Sequence, residues 1–198
     1  MEQWRGSESR LSWLYTQRMR IESPAFTERE MWSFLDEIVD FERRRLADRL
    51  EADSARLAKL VLNNPWDIPS PSGGSGSGPE WNAHDILAHI VVLSKFYGVL
   101  VSRVGSGKLT ELELLPNVKD RDVAGEQLSS LPPDELLAFA QRDHQRTVAY
   151  LRSANAEAMR RRAVLYEGFS MSAQEIASMP LCAHLELHLD QLERTLRP

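Results

Sequence analysis

The sequence predicts an all-α protein, a four-helix bundle preceded by a helical extension at the N-terminus. Four segments carry apolar residues at helical spacing, breaker-rich stretches separate them, and no segment shows convincing strand alternation. The chain has 198 residues, of which 42% are hydrophobic, which suffices for one domain with a sizeable core. We expect residues 25–198 to form the bundle and residues 1–24 to form the extension.

The extension carries apolar residues spaced like one face of a short amphipathic helix: Leu11, Leu14, Tyr15 and Met19. The first bundle helix is predicted to begin at Thr27, because Glu30 stands three residues later and completes a capping box. Helical spacing continues to residue 62, with a change of phase near residues 42–45 that permits one bent helix or two. A flexible Gly/Ser/Pro loop is predicted over residues 68–80.

The second helix is predicted from Asn82, with Asp85 completing its cap, to about Val104. This segment is apolar on nearly every face, which is typical of the central helix of a bundle. We expect a loop to follow, running through Lys119 and Gly125.

The third helix is predicted to begin near Pro132 and Pro133, because the fixed φ of proline suits a first helical turn. The fourth is predicted from a capping box at Ser172 and Glu175 to the C-terminal end, and Pro180 should kink or restart it.

Composition restricts the partners and the compartment. The chain has 24 Lys and Arg against 29 Asp and Glu, a net charge of −5, which argues against nucleic acid as a partner. Cys182 is the only cysteine, so no disulfide can form within the chain, and a reducing compartment fits best. The N-terminus does not resemble a secretory signal, and the most apolar stretch contains His89, Lys95 and Arg103. We therefore expect a cytoplasmic protein without a membrane span.

Three of the five histidines form a pattern typical of metal ligands. His184 and His188 are four residues apart on a predicted helix, the spacing at which two imidazoles can hold one ion. His89 lies midway along the most apolar helix, where a buried ring needs a partner. Each of these histidines can equally be a hydrogen-bonded core residue, and spacing alone leaves both interpretations open.

A longer signature surrounds these histidines. Trp81 is followed eight residues later by His89, and His184, His188 and Gln191 form an H-x3-H-x2-Q run in the last helix. Between about residues 50 and 196, the chain resembles the DinB-like superfamily, which includes proteins of the mycothiol-dependent maleylpyruvate isomerase type. The extension and the Gly/Ser loop depart from the family pattern.

The resemblance implies a four-helix bundle in which His89, His184 and His188 bind one divalent metal ion, with zinc or nickel expected. Several such proteins are thiol S-transferases that use a small thiol such as mycothiol, bacillithiol or glutathione. We therefore expect a metal-dependent transferase that acts with such a thiol on a small electrophile in detoxification. Two alternatives stay open: a metal-dependent hydrolase, and a non-catalytic helical binding or dimerisation module.

Further residues are assigned by helix geometry. Asp85 lies one turn before His89 and either orients its ring or caps the helix. Gln191 shares the face of His184 and His188 and should reach the bound ligand. His144 is a fourth ligand, a general base or a core histidine. Cys182 is expected to be a core thiol, so a nucleophilic thiol must come from a cosubstrate. A homodimer through the apolar faces left over by the N-terminal segment is also expected.

Overall fold

The computed structural model describes residues 27–66 and 81–197, apart from the side chains of residues 121 and 122. The predicted helix near residues 11–19, the boundary near residue 24 and the loop at residues 68–80 lie outside the described residues. The chain separates into two compact units, Met1–Leu35 and Asp36–Pro198. In the first unit, the described residues form the opening turns of a helix on which Met31, Trp32 and Phe34 are exposed.

Helix α1 (Glu28–Leu62) is one continuous helix, which decides between the two alternatives that the sequence left open. Its predicted capping box is present, because the Glu30 backbone N–H donates to Thr27 Oγ1 and the Thr27 backbone N–H donates to Glu30 Oε2. In the second unit, Leu46, Leu50 and Leu57 of this helix are buried in the core.

Helix α2 (Ala83–Gly105) is the central helix. Asn82 and Asp85 form the predicted capping box, and most of the helix is buried. By length and composition it could span a membrane, but 72% of its most apolar window is buried inside the protein. Burial of this kind is typical of the core helix of a bundle.

Helix α3 (Leu114–Leu128) corrects the prediction of a loop through Lys119 and Gly125. Gly125 disfavours a helix in this segment, whereas Pro116 lies in the first turn, where proline is tolerated. The segment nevertheless packs on α2, where Gly125 comes close to Val92. Tertiary packing therefore overrides a weak local propensity.

Helix α4 (Pro133–Ser153) begins with proline at its first position, as predicted. A short helix, α5 (Ala156–Arg160), follows and leads into two antiparallel strands, β1 (Arg162–Tyr166) and β2 (Phe169–Ser172). The sequence analysis did not predict this hairpin.

The last helical region is not one uniform α-helix. The predicted capping box of Ser172 and Glu175 opens helix α6 (Ala173–Ile176). A π-helical segment (Ala177–Ala183) follows, and helix α7 (His184–Leu196) completes the region. Pro180 lies inside the π-helical segment. Proline lacks the backbone N–H that an α-helical turn uses, and its ring clashes with a carbonyl of the preceding turn. The predicted disturbance at Pro180 is therefore a local widening of the helix.

Helices α1, α2, α4 and α7 share one hydrophobic core and form the bundle, and within the described residues α3 adds a fifth long helix against α2. Ion pairs between α1 and α7 join Arg49 to Glu186 and Arg56 to both Asp190 and Glu193. The predicted four-helix bundle is confirmed.

Candidate metal centre

The structure brings together the three histidines that the sequence singled out. His89 extends from the second turn of α2, and His184 and His188 extend from the first two turns of α7. One ring nitrogen of each histidine lies within 4.8 Å of a ring nitrogen of the other two. His89 is buried, whereas His184 and His188 are half-buried, so the group is accessible from one side.

The two histidines of α7 have ring nitrogens at hydrogen-bond distance. Nε2 of His188 and Nε2 of His184 are 2.9 Å apart. At this distance one nitrogen can donate a hydrogen bond to the other, so the two ring edges point toward a common region. The ring of His89 reaches the same place from α2, with its centroid 4.5 Å from that of His188.

Gln191 determines which nitrogen of His188 carries hydrogen. Its Oε1 lies 3.0 Å from Nδ1 of His188. An amide oxygen only accepts hydrogen bonds, so Nδ1 carries a proton, and in the neutral ring Nε2 then keeps its lone pair. The predicted position of Gln191 on the histidine face is therefore accompanied by a specific contact, of the kind that orients metal-bound imidazoles in many proteins.

These residues fit a single divalent ion. A tetrahedral ion with nitrogen ligands at about 2.1 Å separates its ligand atoms by about 3.4 Å. The 2.9 Å pair and the 4.8 Å limit lie on either side of that value. Three neutral imidazoles are typical of sites that leave one position open for water or substrate.

A cavity of about 540 Å³ lies over the α7 side of the histidine group. Its lining residues are Trp81, His184, Leu187, His188, Gln191, Arg194 and Thr195. The Trp81 ring lies 4.7 Å from that of His89 and is stacked at 5.9 Å on that of His188. Trp81 therefore forms a wall shared by the cavity and the histidine group.

The other predicted residues occupy different positions. The Asp85 side chain accepts from the Asn82 backbone N–H within the capping box. His144 lies between α2 and α4, where its Nε2 is 2.8 Å from Oγ of Ser94, and burial lowers its pKa to about 4. His144 is not one of the three histidines whose nitrogens converge.

Cys182 is buried in the π-helical segment. Burial raises the pKa of its thiol to about 12, so Cys182 is a neutral thiol near neutral pH. The sequence analysis expected a core thiol at this position, and the structure agrees.

Sequence reasoning missed several residues that line the cavity. Thr195 lies seven residues after His188 and therefore on the same helical face, so spacing alone could have identified it. Leu187 and Arg194 lie at the edge of that face, where the histidine pattern gave no signal.

The comparisons with known proteins bear on the family. No curated protein matches this chain, and no solved structure does. The profile of the DinB superfamily matches residues 39–192. This match includes the tryptophan, the three histidines and the glutamine of the site. The chain belongs to the DinB superfamily.

Proposed function

We propose that this protein is a metal-dependent transferase that joins a low-molecular-weight thiol to a small electrophile. The observation that carries the proposal is the convergence of three histidine nitrogens within 4.8 Å beside an accessible cavity of about 540 Å³. His89, His184 and His188 would hold the ion, for which zinc or nickel is proposed. When bound, such an ion lowers the pKa of a thiol or water at its open position.

The residues of the chain prepare the site for this chemistry. Gln191 accepts the Nδ1 hydrogen of His188 and thereby keeps Nε2 available as a ligand atom. Trp81 packs on the rings of His89 and His188 and limits their rotation. The site therefore needs little rearrangement before it can bind a cation.

The nucleophilic thiol must come from outside the chain. Cys182 is the only cysteine, and it is buried, with a thiol pKa raised to about 12. It therefore supplies neither a thiolate nor an accessible sulfur atom. This argument favours a diffusible thiol cosubstrate over a covalent enzyme intermediate.

The cavity suits a small substrate. A volume of about 540 Å³ falls within the range of about 300–1,000 Å³ typical of small-molecule sites. Trp81 and Leu187 offer apolar surface, and Gln191 and Thr195 offer hydrogen bonds.

We further propose that the protein acts in the cytoplasm as a homodimer, without nucleic acid or membrane as a partner.

Metal analysis of His188→Ala and His89→Ala tests the proposal, with His84→Ala as the matched control. His84 is also a histidine of α2, but its ring packs against Trp66. We expect about one equivalent of metal in the wild type and His84→Ala proteins and none in the other two variants. Elemental analysis after purification without chelator gives this stoichiometry.

Activity on small electrophiles then separates the reaction classes. The proposal predicts product formation only with added thiol, and its loss in His188→Ala but not in His84→Ala. Turnover without thiol would identify a hydrolase instead. Retention of metal by His188→Ala would contradict the ligand assignment, and failure of the wild type to bind any divalent ion would favour a non-catalytic module.

A further inference from the structure

A second cavity, of about 590 Å³, lies among helices α2, α3 and α4. It shares no lining residue with the cavity beside the histidines. Most of its surface is apolar, and Val92, Phe96, Leu100, Leu128 and Phe139 contribute to its walls. Its volume is typical of a small-molecule site, and the proposed transferase reaction makes no use of it.

One buried carboxylate lines this cavity. Asp143 is only 6% exposed, and its Oδ1 lies 3.4 Å from Arg146 Nη1 and 3.9 Å from Arg142 Nε. Its other oxygen, Oδ2, is buried and has no hydrogen-bond partner among the residues that the structure describes. A buried acceptor without a partner is costly. A ligand hydroxyl in the cavity would supply the missing donor.

The charged residues at the solvent side of the cavity are mainly positive. Lys95 and Arg103 lie eight residues apart on one face of α2, and both side chains are exposed. Among the residues whose side chains the structure describes, which leaves out residue 122, neither has an acidic partner within 4 Å. Asp120 is the exposed acidic residue among the side chains that line this cavity. The balance at the rim therefore favours an anionic group.

We propose that this cavity binds an amphipathic carboxylate whose apolar body carries a hydroxyl group. The apolar body packs against Phe96, Leu100 and Phe139. The hydroxyl donates to Oδ2 of Asp143, and the carboxylate is held at the rim by Lys95 and Arg103. This site is separate from the metal centre and does not depend on the proposed reaction.

Isothermal titration with 10-hydroxydecanoate below its micelle concentration tests the proposal on the full chain. Decanoate lacks the hydroxyl group, and 1,10-decanediol lacks the carboxylate, so the two are matched controls. We expect one 10-hydroxydecanoate per chain, with a Kd below about 100 μM. Binding of decanoate should be about tenfold weaker, and binding of the diol about fivefold weaker.

Variants assign each contact by a double-mutant cycle. In Asp143→Leu, 10-hydroxydecanoate and decanoate should bind equally well. In Lys95→Gln/Arg103→Gln, the advantage of 10-hydroxydecanoate over the diol should disappear. Ala124→Phe places a large ring in the cavity and should abolish binding, whereas His188→Ala should leave it unchanged.

Three results would overturn the proposal: no binding to the wild type, equal binding of all three compounds to it, or binding that survives Ala124→Phe but is lost in His188→Ala. The last result would place the carboxylate at the histidines. Circular dichroism verifies that each variant is folded. Should Asp143→Leu fail to fold, the comparison of the three compounds on the wild type still decides the outcome.

Discussion

At the residue scale, Gln191 favours one tautomer of a proposed metal ligand, because its Oε1 lies 3.0 Å from Nδ1 of His188. Gln191→Leu removes the acceptor while nearly preserving the volume of the side chain. Because Nδ1–H of His188 then loses its orienting partner, we expect metal affinity to fall about tenfold. Competition with a chromophoric chelator measures this change.

Thr195→Val is the matched control for Gln191→Leu. Thr195 also lines the cavity, but its hydroxyl donates to the Gln191 backbone carbonyl and not to a histidine. Metal affinity should stay within about twofold of wild type. Equal losses in the two variants would show that Gln191 acts through the general shape of the helix.

His144 predicts a pH dependence of stability. Burial lowers its pKa from 6.5 to about 4, so between these values the unfolded chain binds a proton that the folded chain does not. Stability should therefore fall as the pH decreases from about 6.5 to about 4, by about 3 kcal/mol from this group. Above pH 6.5 its contribution is constant.

The measurement is urea unfolding of metal-free wild type and His144→Gln at several pH values, with the difference taken at each. Glutamine can keep a hydrogen bond to Ser94 but does not titrate. Burial raises the pKa of Asp53 from 3.8 to about 6, so the contribution of Asp53 to stability increases as the pH decreases through this range. This contribution is the same in the wild type and in His144→Gln, and it cancels when the two free energies of unfolding are subtracted. A difference independent of pH would refute the role of His144.

At the scale of elements, α2 and α4 come into close contact at Gly98. A Cβ atom at this position would lie 2.3 Å from Oγ1 of Thr147. Gly98→Ala should therefore destabilise the protein by about 1–3 kcal/mol, although alanine favours a helix. Chemical denaturation measures the effect.

Two companion variants isolate this steric cause. Gly125→Ala places its Cβ 3.6 Å from Val92, an ordinary contact, so it should be neutral or stabilising by up to about 1 kcal/mol. Thr147→Ala in the Gly98→Ala background removes the clashing atom and should recover part of the loss. Equal effects of the two glycine variants would contradict the steric explanation.

The elements also show where sequence reasoning succeeds. The capping boxes of Thr27, Asn82 and Ser172 were predicted from spacing, because a side chain three residues from its partner needs no tertiary context. Helix α3 was missed because packing on α2 forms it against local preference. The hairpin was missed although Ala163 and Leu165 alternate with exposed residues and Gly168 turns the chain at a φ of 67°. A strand of five residues gives too short an alternation of buried and exposed positions to be distinguished from a loop.

At the scale of the whole molecule, the proposed metal site would join the central helix α2 to the last helix α7. An ion that binds only the folded chain should raise its stability by about 2.7 kcal/mol when its concentration is 100 times Kd. For a protein of this size, Tm should rise by about 5–10 °C. Calorimetry of wild type and His188→Ala, with and without metal, measures this shift, and a shift in the variant would contradict the site.

The bundle itself was predictable because its four long helices each display their apolar residues in sequence. The grouping of the three histidines followed from the i, i+4 pair and from resemblance. The cavity beside the histidines could not be predicted from the sequence, because Trp81 and Arg194 reach it from positions fixed by the packing of the helices. Helix α3 forms one wall of the second cavity. Since the sequence analysis predicted a loop in place of α3, it could not predict this cavity.

The π-helical segment bears on how this chain can change length in evolution. Within it, each residue advances the helix by a smaller angle than in the α-helices on either side. A deletion of one residue here would restore ordinary α-helical geometry and would leave the spacing of His184 and His188 intact. Because one residue fewer at a larger angle per residue covers nearly the same total turn, both rings would keep nearly the same direction relative to the capped start at Ser172 and to His89. A gap of one residue between residues 172 and 184 should therefore be compatible with all three histidines among homologues, whereas a gap between residues 184 and 188 should not.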